Sequence, residues 1–284
     1  MTRLITALDY AAPAAALALV ERLEPGSTRL KIGNELFTAA GPALVETLQE
    51  RGFEIFLDLK YHDIPNTVAA ACARAAALGV WMVNVHASGG RRMLEAAREA
   101  VPSHRGGTGT RLIAVTVLTS LEREDLLDTG LDVDPVDQVR RLARLAREAG
   151  LDGVVCSPRE IGVVREVAAG ETSFLAVTPG VRPRRRGEGE EASGAGIRSL
   201  GGTPDDQRRT ATPREAILAG GDHLVIGRAV TQASDPAAAL GEIAEEVDRA
   251  LVEIGSAAAD EAFAGEERAG DGRADDDTTS GEKA

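Results

Sequence analysis

The sequence predicts a single α/β domain, a (β/α)8 TIM barrel, over residues 1–255 of the 284-residue chain. Three observations carry that prediction. Short apolar runs alternate with Ala/Leu/Arg-rich helical stretches, eight such pairs fit into the length, and polar residues gather just past the ends of the apolar runs. Apolar runs followed by helical stretches imply strands buried on both faces, as in a parallel sheet covered by helices. Eight such units in about 255 residues close the sheet into a barrel. An open, doubly wound sheet would place a G-x-G-x-x-G turn after its first strand, and the sequence has none there.

The elements follow in order. Arg3–Leu8 reads as the first strand and Pro13–Leu23 as its helix. Arg29–Ile32 precedes Pro42–Glu50. Phe53–Leu57 precedes Asn66–Leu78, whose start is marked by Pro65, a residue tolerated in a first helical turn because its missing N–H has no partner there. Val80–Val85 leads to Arg91–Ala100, Arg111–Leu118 to Pro135–Ala149, and Gly153–Cys156 to Pro158–Ala168. Ser173–Val177 is the seventh strand, with Pro213–Ala219 after it, and His223–Ile226 is the eighth, closed by Pro236–Ile254. Two segments break the rhythm. Residues 180–212 form a long connection, with Arg182–Arg186, an acidic stretch and a Gly/Ser stretch; such a loop is a lid or unstructured. Residues 256–284 hold nine acids and three bases without hydrophobic periodicity, which predicts a disordered acidic tail.

Composition excludes several function classes. Aromatics are 3% against 43% hydrophobic residues, so the core is aliphatic. No apolar run reaches the ~18 residues of a membrane span, and Asp9 arrives before the apolar region of a secretory signal could form. Two cysteines, Cys72 and Cys156, give neither a disulfide framework nor metal spacing and imply reduced thiols in a cytoplasmic protein. A net charge of −13 disfavours nucleic acid as a partner, the Arg182–Arg186 run notwithstanding. Acid-rich, lysine-poor composition suits a high-salt cytoplasm, and a GC-rich genome would also favour Arg over Lys.

The lysines are the sharpest signal. The chain has three, Lys31, Lys60 and Lys283, and spells nearly all its other positive charge as Arg. Lys can surrender a proton where Arg cannot. Lys60 stands in Asp58-Leu59-Lys60-Tyr61-His62-Asp63, and two-residue spacing at a strand end puts Asp58 and Lys60 on one side, toward the barrel axis. Buried charges of this kind require mutual pairing. Lys31 at the end of strand two supplies a further ammonium, and alternating Lys and Asp lowers the carboxylate pKa and raises the ammonium pKa. Gly227-Arg228 follows strand eight and Arg182 follows strand seven, the two loops that hold phosphate in many barrels. His86 at a strand end reads as a pocket wall.

These residues resemble the orotidine 5′-phosphate decarboxylase family in its bacterial form. The resemblance spans about residues 3–254 and rests on Ala7-Leu8-Asp9, Leu30-Lys31-Ile32-Gly33, the run Phe56 to Thr67, Asn84-Val85-His86-Ala87, Val115 to Ser120, Thr178-Pro179-Gly180-Val181-Arg182, Asp206-Gln207-Arg208-Arg209 and Val225-Ile226-Gly227-Arg228. It implies decarboxylation of orotidine 5′-phosphate to UMP without cofactor or metal, by a homodimer in which Asp63 reaches into the partner's site. Lys31, Asp58, Lys60 and Asp63 would form a charged tetrad, with Lys60 protonating C6 of the pyrimidine. Asp9, Lys31 and Thr67 would hold the ribose, Ile64 would join the substrate-binding segment, and Thr119 and Ser120 would face the base. Arg182, Gln207, Gly227 and Arg228 would grip the 5′-phosphate. One departure stands out: Arg182 and Gln207 are 25 positions apart, a longer connection than the family's. The pattern is also similar to magnesium-dependent sugar-phosphate decarboxylases and synthases of the same superfamily, which carry an acidic residue at the position of Lys31. A non-catalytic nucleotide-binding barrel is the remaining alternative.

Overall fold

The computed structural model describes residues 2–102, 109–183 and 210–270, with side chains to residue 256. Eight parallel strands close into a barrel in sequence order. They are β1 (Leu4–Ala7), β2 (Arg29–Gly33), β3 (Ile55–Tyr61), β4 (Met82–His86), β5 (Arg111–Val115), β6 (Gly153–Val155), β7 (Leu175–Thr178) and β8 (His223–Ile226), with β1 pairing β8 to close the ring. The helices are α1 (Pro13–Val20), α2 (Asn34–Ala40), α3 (Pro42–Glu50), α4 (Pro65–Ala77), α5 (Arg91–Ala100), α6 (Arg123–Asp128), α7 (Pro135–Glu148), α8 (Ile161–Ala168), α9 (Pro213–Leu218), α10 (Arg228–Thr231) and α11 (Pro236–Gly270). Proline opens α1, α3, α4, α7 and α9, with the φ a helix needs and no N–H to leave unpaired.

Two apolar clusters divide the interior. The larger lies between the strands and the helical ring and includes Leu4, Leu30, Leu57, Val83 and Leu224 with the inner helix faces. The smaller fills the bore with Ile5, Ala7, Phe56, Met82, Ile113, Val177 and Val225. Alternation along each strand assigns the residues: Leu57 faces the helices and Phe56 the bore, so Asp58 faces the bore one layer higher. At the lower rim, acids that precede a strand tie two strands and a helix together. Asp152 accepts from the Leu112 N–H at 2.7 Å and from Arg98 at 2.8 Å. Asp222 accepts from the Ala176 N–H at 2.7 Å and from Arg165. Gly153 is dictated by proximity, since a Cβ there would lie 2.3 Å from the Leu175 carbonyl oxygen.

The barrel matches the sequence expectation, with differences at element ends. The third strand runs to Tyr61 rather than stopping at Leu57, because Asp58 and Lys60 continue it into the bore. The fifth ends at Val115, not Leu118, where the chain turns over the barrel mouth. Short helices α2, α6 and α10 were not expected. The Pro158–Ala168 segment splits into a 3-10 turn (Pro158–Glu160) and α8. The backbone of α11 continues to Gly270, into the segment expected to be unstructured, while residues 271–284 of that tail lie outside the described residues. Among the described residues no helix is long and apolar enough to cross a membrane.

Candidate active site

Parallel register brings the upper ends of β1, β2 and β3 side by side: Ala7 is opposite Lys31, and Gly33 is opposite Asp58. The charged side chains therefore alternate in sign around the mouth. Lys31 Nζ lies 3.2 Å from Asp9 Oδ1 and 3.2 Å from Asp58 Oδ2. Lys60 Nζ lies 2.7 Å from Asp58 Oδ1. Asp58 is shared between both ammonium groups, and the row reads Asp9, Lys31, Asp58, Lys60. Asp9 is open to solvent, whereas Lys31 and Asp58 are largely enclosed.

The electrostatics follow from this order. Burial pushes the Asp58 carboxyl up, but the Lys31 and Lys60 ammoniums and hydrogen bonds from Lys60 and Asn84 outweigh it and hold the carboxyl below its usual range. Burial pulls Lys31 down, and the carboxylates of Asp58 and Asp9 more than compensate, so its pKa is raised. Asp58 and Lys31 are both charged at neutral pH. His86, half-buried, is held below its usual pKa by burial, by His62 and by Lys60, so it presents a neutral ring to the mouth.

Lys60 has a left-handed backbone, φ 51°. A side chain with a Cβ adopts this conformation at a cost of about 1–3 kcal/mol, and such residues concentrate at functional sites. The register between β3 and β4 shifts here, from Leu57 opposite Val83 to Tyr61 opposite Val85. The shift lifts Asp58–Lys60 out of the regular ladder. Asn84, fully buried on β4, fills the gap with its amide. Sequence reasoning assigned it no role; the signal was a polar residue between Met82 and His86 on the bore side of an apolar strand.

The remaining expected residues divide. Asp63 is exposed, accepts from the Ile64 N–H at 2.6 Å, and has no ion-pair partner among the described residues, so one chain alone does not complete the expected tetrad. Ile64 is 67% exposed beside it. Thr67 is exposed in the first turn of α4, and its N–H donates to the Ile64 carbonyl at 3.0 Å. Thr119 and Ser120 lie in the turn after β5, half-buried and exposed. Arg182 and Arg228 approach each other closely enough that Arg228, after burial, helps lower the Arg182 pKa. Two guanidiniums near each other carry planar donor forks of the kind an oxyanion would need. Gly227 packs beside Asp9, 3.7 Å from its Oδ2 to the position of a Cβ. Ser157, just after β6, is fully buried, and its N–H donates to Glu160 Oε2 at 2.9 Å at the start of the 3-10 turn. Gln207 and Arg184–Arg186 lie outside the described residues. The long connection is nevertheless pinned at its neck: Val181 bridges Ala211, and the Arg182 N–H donates to the Ala211 carbonyl at 2.9 Å. The extra length therefore leaves Arg182 at the mouth.

A family model described as orotidine 5′-phosphate decarboxylase / HUMPS family matches residues 2–243. The chain belongs to this family. An orotidine 5′-phosphate decarboxylase of Chromohalobacter salexigens is 56% identical over 246 residues, covering 87% of this chain and 96% of the relative. One of Halorhodospira halophila is 56% identical over 246 residues, covering 86% and 95%. The crystal structure of orotidine 5′-phosphate decarboxylase from Lactobacillus acidophilus superposes with a TM-score of 0.71 at 34% identity, covering 87% of this chain and 99% of that one.

Proposed function

We propose that this protein converts orotidine 5′-phosphate to UMP and CO2 without a cofactor, as the last step of pyrimidine nucleotide synthesis. The carrying observation is the Asp9–Lys31–Asp58–Lys60 row at an open barrel mouth, with Arg182 and Arg228 near each other after β7 and β8. Loss of CO2 breaks the bond between C6 and the carboxylate carbon and leaves the electron pair on C6. With no electron sink in the substrate, the charge must be met by a positive group already in place. Lys60 Nζ is that group, and its proton ends on C6. Asp58 fixes both ammoniums and faces the departing carboxylate. Arg182 and Arg228 bind the 5′-phosphate, so that binding energy gathered far from C6 closes the mouth over the base at Thr119 and Ser120. Asp9, Lys31 and Thr67 hold the ribose, and Gln207 and Gly227 complete the phosphate grip.

The magnesium-dependent sugar-phosphate reaction fits less well. Both Asp58 oxygens already face ammonium groups, and a divalent cation would meet the Lys31 charge. The discriminating assay follows the absorbance of orotidine 5′-phosphate in EDTA beside a 3-hexulose 6-phosphate assay with magnesium. Turnover of the nucleotide in EDTA supports the proposal; turnover of the sugar phosphate alone, abolished by EDTA, refutes it. UMP binding without turnover of either would mark a non-catalytic barrel.

The exposed Asp63 and Ile64 line a recess of about 700 Å³ that also includes His62, Arg92 and Met93. This supports a homodimer in which Asp63 completes the partner's tetrad; a cytoplasmic location accords with two free, buried cysteines. Mixing inactive Lys60→Ala and Asp63→Ala proteins then restores about a quarter of parental activity, because half the dimers carry one intact site. No recovery after subunit exchange would show that Asp63 acts within its own chain or not at all.

A further inference from the structure

Between Leu57 and Tyr61, β3 advances four residues while β4 advances two, from Val83 to Val85. A strand that gains residues in this way loses its ladder partners and bends. Asp58 and Lys60 lie in the irregular stretch. The Lys60 N–H, without a carbonyl opposite, donates to Asn84 Oδ1 at 2.8 Å. The other end of the same amide donates from Nδ2 to Asp58 Oδ1 at 2.7 Å, the oxygen that also receives Lys60 Nζ at 2.7 Å. Because one contact needs a donor and the other an acceptor, the amide has a single allowed orientation. Asn84 is 0% exposed, so it does not face the space a substrate would fill.

We propose that Asn84 is a positioning residue of this centre: its side-chain amide stands in for the missing strand partner, holds Lys60 in its left-handed backbone, and orients the Asp58 carboxylate that both lysines share. The inference rests on the decarboxylase reading for its kinetic consequence. Its structural content concerns this chain alone. An alanine would leave the Lys60 N–H unpaired in a part-buried place and free the Asp58 carboxylate to rotate. An aspartate has the same shape and keeps an acceptor for the Lys60 N–H, but sets a second carboxylate against Asp58. The two substitutions separate the two contacts.

The test is the pH profile of kcat for orotidine 5′-phosphate in the parent, Asn84→Ala and Asn84→Asp, with UMP affinity measured beside it. Misplacement of a reacting group by a fraction of an ångström to 1 Å lowers kcat about 100-fold, and this is the loss expected for Asn84→Ala. UMP affinity is expected to stay within a factor of about three, since Asn84 makes no direct ligand contact. The acid limb moves to higher pH in Asn84→Ala, which loses a hydrogen bond that favours the Asp58 carboxylate, and further in Asn84→Asp, where like charges adjoin. Parental kcat in both variants overturns the proposal. So does a loss of kcat with an equal loss of UMP affinity and an unmoved acid limb, the pattern of general destabilisation. If Asn84→Ala does not fold, the isosteric Asn84→Asp carries the same comparison. If the parent itself does not turn over, the decarboxylase reading fails, and 13C NMR titration of the Asp58 carboxyl decides the positioning role by itself: a raised midpoint in the variants supports it, and an unchanged midpoint overturns it.

Discussion

The two ends of the barrel bore solve the burial of charge in opposite ways. At the lower end, the Arg29 guanidinium lies 4.0 Å from the Trp81 ring centre and that of Arg111 lies 5.2 Å from it, while the His223 ring meets Trp81 edge-on at 5.1 Å. Cations there are spent on an aromatic face, and Glu54 on the rim pairs with Arg29 at 2.9 Å. His223 is held neutral: burial first, then the arginines Arg29, Arg111 and Arg3, bring its pKa to about 3. At the upper end, Asp58 and Lys31 keep their charges and alternate with Asp9 and Lys60 around an open mouth. The lower cluster is a closed plug. The upper row leaves Lys60 partly open, at 29% of its side chain. The same bore therefore separates residues that hold the barrel from residues available to a ligand, and that separation can be attacked from either end.

Asp58→Ala should do the most damage, because it strikes both functions. It removes the carboxylate that both ammoniums share and leaves the enclosed Lys31 with the exposed Asp9, and removing one partner of a buried ion pair costs about 3–5 kcal/mol. Thermal unfolding should show the lower stability, and orotidine 5′-phosphate turnover should fall below detection. A variant with parental melting temperature would show that the lysines relax without their shared carboxylate.

Trp81→Ala should break the plug alone. The cavity from losing a buried Trp costs about 3–5 kcal/mol, while turnover per folded molecule should remain close to parental. Loss of turnover in a variant that remains folded at the assay temperature would couple the two ends and weaken the comparison.

The pH dependence of stability should also divide by end. His223 has a folded pKa of about 3, below the ~6.5 of an unfolded histidine. The unfolded chain binds more protons between these values, so stability falls as pH drops from about 6.5 toward 3. His223→Gln should flatten that window. Asp58, with its depressed folded pKa, contributes stability present above the unfolded value of ~3.9 and lost as pH falls through the folded one. Lys31, raised, contributes in the opposite sense, and its share is lost at alkaline pH as it passes its folded pKa. Urea titrations across pH 3–7 of parent and His223→Gln read the acid side directly, and identical curves would refute the neutral-histidine assignment.

The smallest effect concerns the thiols. Burial pushes Cys72 and Cys156 up to about 12. Neither should react with a thiol reagent at pH 8 in the native protein, and both should react in denaturant. Rapid labelling of the native protein would reveal opening of the helical layer around Cys72 or of the end of β6 beside Cys156.

The barrel was legible because each strand is an apolar run and each helix carries its own start signal, often a proline. Lys31, Asp58 and Lys60 were legible because charge at the end of an apolar strand has few structural uses. Other features depend on contacts that no local pattern encodes. The left-handed Lys60 and the role of Asn84 arise from a register shift between two strands, and β3 was expected to stop before it. The stacking of Arg29 and Arg111 on Trp81 joins three strand starts far apart in sequence. That the two ends of the long connection meet follows from the Val181–Ala211 bridge at the neck, which composition does not announce.

The central claim is tested most directly by the turnover of orotidine 5′-phosphate in EDTA by Lys60→Ala, with parental protein as the reference. The account predicts rapid turnover in the parent and a loss of about 10⁴-fold or more in the variant, since one side chain supplies both the general acid and the charge that meets C6. A Lys60→Ala protein that retains parental turnover would contradict it.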